Sequence, residues 1–72
     1  MTPLQEVVFR QVKKLPKESR EKFCKEWQLF KEALRCDAGD AFSALDRMVL
    51  LFEKHGLPTD DLIRLGAIYL TT

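Results

Sequence analysis

Asp40-Ala41-Phe42-Ser43-Ala44-Leu45-Asp46-Arg47-Met48-Val49-Leu50-Leu51-Phe52-Glu53-Lys54-His55 is the stretch on which the fold turns. Phe42, Leu45, Val49 and Phe52 recur at intervals of three, four and three residues, the spacing that stacks side chains on one face of an α-helix. Leu50 and Leu51 lie off that stripe, because at about 100° per residue they point to the other side. A helix apolar on more than one side is central in its fold or shared with a second chain. The segment is therefore read as a central helix covered on two sides, the second by another copy.

Downstream, His55-Gly56-Leu57-Pro58 ends that helix: Gly56 suits the left-handed position, Leu57 the hydrophobic contact, and Pro58 prevents continuation. Upstream, Asp37-Ala38-Gly39-Asp40 reads as a break, with Gly39 as a left-handed helix end and Asp40 or Asp37 as the cap of the central helix. Before it, a helix from Pro16 to about Arg35 carries Phe23, Trp27, Phe30 and Leu34 on one stripe. In a chain this short those aromatics are expected in the core, where they supply area that few residues can. Leu29 falls off the stripe and is expected to be exposed.

The first helix opens on Thr2 as cap, Pro3 at the first helical position and Gln5 three residues after Thr2. Leu4, Val8, Val12 and Leu15 form its stripe, Val7 and Phe9 widen it, and Pro16 ends it near Leu15. In the last element Thr59 caps, Asp60 and Asp61 face the positive end of the dipole, and Leu62, Leu65 and Tyr69 share a face with Gly66 between them. Ala67 to Thr72 has strand-like composition, but helix is expected to about Leu70. The pattern predicts one all-α domain over residues 1–72, with three long helices and a short C-terminal helix, a fold that dimerisation would complete.

Composition removes several function classes. With 46% hydrophobic and 32% charged residues the chain is neither disordered nor membrane-embedded in character. Its longest apolar run, Met48 to Phe52, is far below the roughly 20 residues that span a bilayer. Thr2-Pro3-Leu4-Gln5-Glu6 has neither the basic start nor the apolar segment of a secretory signal. An autonomous small cytoplasmic protein starting at Met1 is expected. Cys24 and Cys36, twelve residues apart on one helix and so about 18 Å apart, are too distant for a disulfide and are read as reduced thiols. Two Cys and one His lack the paired spacing of a zinc site. A calcium loop counted from Asp37 would need its turning Gly where Phe42 stands.

No catalytic or cofactor site is expected. His55, the one histidine, stands in the last turn of its helix, where the dipole favours it as a cap over a base. The carboxylates are interleaved with lysines, without the apolar enclosure that tunes an acid. No Gly-rich phosphate loop occurs. Gly39-Asp40-Ala41-Phe42, followed by Leu45, Met48, Val49 and His55-Gly56-Leu57, resembles the helix after the Gly-Asp-Ser-Leu attachment motif of acyl and peptidyl carrier proteins. The likeness covers about a quarter of the chain. In that family the serine after the Asp bears the phosphopantetheine arm; here Ala41 holds that position, and Ser43 lies roughly 200° further round the helix.

Two binding readings remain. Residues 42–70 resemble a helix-turn-helix, with Gly56 in the turn, which would make the chain a small DNA-binding transcriptional regulator. Against it, Phe52 is large where that turn needs a small residue, and the would-be recognition helix opens on Asp60 and Asp61 with Arg64 as its one cation. A second basic route, through Lys17, Arg20, Lys22, Lys25, Lys31 and Arg35, is interleaved with Glu and forms no continuous stripe.

The preferred reading is a non-catalytic protein-binding regulatory module. Phe9, Leu29, Leu50, Leu51, Ile63, Ile68 and Leu70 are its candidate interface residues, lying off the main stripes or at the last helix's end. In size and character the chain resembles small phage and plasmid regulators such as antirepressors and enzyme inhibitors. The expected partners are another protein and a further copy of the chain, as a homodimer or larger species. Charge is unevenly distributed: residues 1–36 carry nine basic against five acidic residues, or +4, and residues 37–72 carry three against six, or −3. Such polarity fits a pair of solvated helix faces, the steering of an acidic partner to one end, or antiparallel self-association.

Overall fold

Pro16 and Gly56 punctuate the chain. In the computed structural model, which describes residues 3–36 and 38–71, four helices run Pro3–Val12 (α1), Lys17–Cys36 (α2), Ala38–Lys54 (α3) and Asp60–Thr71 (α4). No strand occurs among the described residues, and the strand-like composition after Ala67 is overridden, since α4 continues to Thr71. The shortest helix is α1, with 10 residues, rather than the C-terminal one, which has 12.

α1 stops three residues before the expected Leu15. The Lys14 and Leu15 amides donate to the carbonyls of Gln11 and Val12 at 3.0 Å, a tightened i→i−3 turn that unwinds the helix before the residue Pro16 restricts. Leu15 still turns into the core. The Arg20 amide then donates to the Pro16 carbonyl at 2.9 Å and opens α2.

The stop after α3 forms as the sequence implies. Gly56 has φ 70°, the Leu57 amide donates to the Phe52 carbonyl at 2.9 Å, and the Gly56 amide donates to that of Glu53 at 3.1 Å. These two bonds define a Schellman motif, and the half-buried Leu57 packs on the core. The Ile63 amide donates to the Thr59 carbonyl at 2.9 Å at the start of α4. Gly39 departs from expectation. It is helical within α3, and Gly56 is the one glycine with positive φ among the described residues. Asp40 accordingly sits in the first turn of α3, where its charge faces the positive end of the dipole. The expected roles of Thr2 and Asp37 as caps fall outside the described residues.

The core is one cluster built on aromatic contacts between all four helices. Phe23, Trp27 and Phe30 of α2 are buried, as their stripe implies. Phe9 meets Phe23 and Trp27 edge-on, with centroids 5.9 and 5.4 Å apart, so this candidate interface residue is spent on packing α1 against α2. Phe23 stacks on Phe52 of α3, and Tyr69 of α4 sets its ring edge-on to Trp27 and Phe30.

The inward face of α3 is not centred on the expected stripe. Ala41, Ala44, Leu45, Met48, Leu51 and Phe52 are buried, whereas Phe42 is 57% exposed and Val49 half-buried. The helix is rotated so that Ala41 and Ala44 enter the core. α2 and α3 make the most extensive helix–helix contact of the fold, which small side chains permit. Leu51, expected to point outward with Leu50, is 9% exposed and belongs to the core; Leu50 alone remains outside, at 61%.

Where α4 crosses α3, Gly66 lies against Leu45. A Cβ at Gly66 would stand 2.5 Å from Leu45 Cδ2 and 3.1 Å from its Cγ. Gly66→Ala should therefore destabilise, although Ala is favoured over Gly by about 1 kcal/mol within a helix. Overpacking costs about 1–3 kcal/mol and outweighs that gain. Denaturant titration of Gly66→Ala alone and in a Leu45→Ala background checks the cause: with the leucine removed, the loss should vanish or reverse.

Candidate protein-binding surface

Helical spacing and the Gly66–Leu45 contact place one apolar surface along the α3–α4 crossing. Phe42 and Val49 lie one turn to either side of Leu45 on α3, and Ile63 and Leu70 one turn to either side of Gly66 on α4. Phe42 is 57% and Ile63 48% exposed, while Leu70 is half-buried against the core. Ile68, 49% exposed, stands on the other shoulder of α4. Phe42, which its spacing places on the core stripe of the central helix, is exposed instead. Its side chain continues the Leu45–Val49 stripe, and only the identity of the buried alanines distinguishes the two outcomes.

A second surface follows the groove between α2 and α3. Leu29 is 48% exposed on α2, and Leu50 projects from α3. Between them Arg47 Nε donates to Glu26 Oε2. The Glu26 side chain is 11% and that of Arg47 50% exposed, so the guanidinium covers a carboxylate that packing has largely removed from water. A buried charge is tolerated when it is paired in this way. The ion pair divides the groove into two clefts. One, of about 440 Å³, is lined by Leu29, Glu32, Ala33, Cys36, Asp40, Ser43 and Arg47. The other, of about 220 Å³, is lined by Lys22, Glu26, Arg47, Leu50, Leu51 and Lys54.

Of the seven candidate interface residues, Leu29, Leu50, Ile63 and Ile68 are thus exposed, Phe9 and Leu70 half-buried, and Leu51 buried. His55 lies in the turn after α3, with its Nε2 2.9 Å from Ser19 Oγ, and this contact ties the end of α3 to the first turn of α2. Cys24 and Cys36 are free and exposed. Among the described residues no group of three His, Cys, Asp or Glu side chains is placed to hold a metal ion, and no helix is long and apolar enough to cross a membrane. No protein-family model, curated protein or solved structure matches the chain.

Proposed function

We propose that the chain is a small non-catalytic regulatory module that self-associates and acts by binding another protein. What supports this reading is the set of large apolar side chains left exposed on so small a domain: Leu29, Phe42, Leu50, Ile63 and Ile68. A single exposed leucine is ordinary; several large apolar side chains exposed on one small domain offer area that a partner can bury. Full burial of a Leu, Ile or Phe is worth about 1.5–3 kcal/mol, so each half-exposed side chain leaves about 1 kcal/mol available to a partner.

What weighs against duplex DNA is the outward side of α4, the helix that would enter the groove. It presents Ile63, Ala67 and Ile68, with Arg64 as the only cation in the helix and Asp60 exposed at its start. Phosphate neutralisation needs several cations on that surface.

The test is capture from the native host with the tagged chain, followed by the same capture with Phe42→Asp and Ile63→Asp. A protein should be retained at elevated salt by the parent and lost by both variants, with helicity unchanged. Sequence-selective DNA binding that survives both changes and disappears on Arg64→Ala would overturn the reading in favour of a DNA-binding regulator.

A further inference from the structure

We infer that the α2–α3 groove is the self-association surface, and that it receives the same groove of a second copy across a two-fold axis beside the Glu26–Arg47 pair. The inference deepens the proposal above and rests on its reading of the chain as one that works through protein contacts. Its first support is spacing. Lys22, Glu26, Leu29, Ala33 and Cys36 border the groove on α2 at intervals of four, three, four and three residues. Asp40, Ser43, Arg47, Leu50 and Lys54 border it on α3 at three, four, three and four. Two such antiparallel stripes are what a helical hairpin offers when a second hairpin completes a four-helix bundle.

Charge decides the occupant. Lys22 and Lys54 stand at one end of the groove, Glu32 and Asp40 at the other. Asp40 and Lys54 are fourteen residues apart along α3, about 21 Å, well beyond the roughly 8 Å over which exposed charges interact in physiological salt. Each end therefore acts separately on whatever lies over it. A two-fold axis through the middle exchanges the ends, so that the lysines of one copy face the carboxylates of the other at both. It brings the two Arg47 side chains near the axis, where each is already paired with Glu26. The same rotation carries Leu50 of each copy over the larger cleft of the other, lined by Leu29, Ala33 and Ser43. A surface that matches itself under a two-fold rotation is the requirement for an isologous dimer. A parallel arrangement would set like charges together at both ends.

Sedimentation of the full chain tests this with two charge variants. One carries Lys22→Glu and Lys54→Glu, so both ends of its groove are acidic; the other carries Glu32→Lys and Asp40→Lys, so both are basic. The parent should be a dimer at micromolar concentration. Each variant alone should self-associate more weakly by about tenfold or more, because like charges then face each other, and an equimolar mixture should form a heterodimer. Recovery in the mixture also shows that both variants are folded. Leu50→Asp introduced into both should abolish the mixed dimer. A parent that stays monomeric up to about 100 µM, weaker than specific interfaces of standard size, or charge variants that dimerise undiminished, would overturn the inference. Capture of a partner dependent on Phe42 and Ile63 would in that case still stand. Conversely, a dimer with these properties that captures no other protein would leave the inference intact and remove the wider proposal.

Discussion

Phe30→Ala is expected to abolish most of the fold's stability. Phe30 is fully buried, stacks on Trp27 with centroids 5.6 Å apart, and meets the Tyr69 ring edge-on at 6.1 Å. Its removal loses the transfer free energy of the ring, leaves a cavity that four helices cannot easily close, and breaks two aromatic contacts. Phe→Ala at such a site costs about 3–5 kcal/mol. At about 0.05–0.15 kcal/mol per residue, a chain of this length has roughly 4–11 kcal/mol in all. The variant should therefore have a low denaturation midpoint or be largely unfolded at 25 °C. Trp27 fluorescence and near-ultraviolet circular dichroism report both, since Trp27 loses its stacking partner. Unchanged unfolding with loss of a binding partner would mean instead that the aromatic stripe is a recognition surface.

Much of the fold follows from local rules visible in the sequence. Pro16, Gly56 and Pro58 mark two of the three breaks because each restricts or permits a backbone conformation irrespective of tertiary context. Phe23, Trp27 and Phe30 announce the core because nothing else in a chain of this length supplies comparable area. The rotation of α3 was less legible. Phe42, Leu45, Val49 and Phe52 form a regular stripe of larger side chains, and hydropathy gives it more weight than Ala41 and Ala44. Close approach to α2 selects the small residues instead, since the contact depends on interaxial distance rather than on transfer free energy alone. The consequence is that Phe42 is outside and Leu51 inside.

Gly39 shows a related effect. Glycine permits a left-handed end but does not require one, and here α3 begins before it. The candidate surface was legible in part. Leu29, Leu50, Ile63 and Ile68 lie off their stripes and are exposed. Phe9 lies off its stripe too, but the aromatic cluster absorbs it. The Glu26–Arg47 pair, which divides the α2–α3 groove, joins residues 21 positions apart and has no local signature.

Both the core and the outward surface depend on which of the adjacent leucines of α3 is inside. Leu51 is 9% and Leu50 61% exposed, so identical substitutions at neighbouring positions should differ sharply. Leu51→Ala removes buried methyl groups beneath α2 and should cost about 2–4 kcal/mol, within the usual range for a core leucine. Leu50→Ala removes a side chain that is mostly hydrated in the monomer and should stay within about 0.5 kcal/mol of the parent. The direct measurement is denaturant unfolding of the two variants, followed by Trp27 fluorescence at sub-micromolar concentration, where self-association does not contribute. A large loss for Leu51→Ala with a near-parental Leu50→Ala is the predicted result; equal losses, or the larger loss at Leu50, would contradict the orientation of α3 and with it the surface proposed to bind.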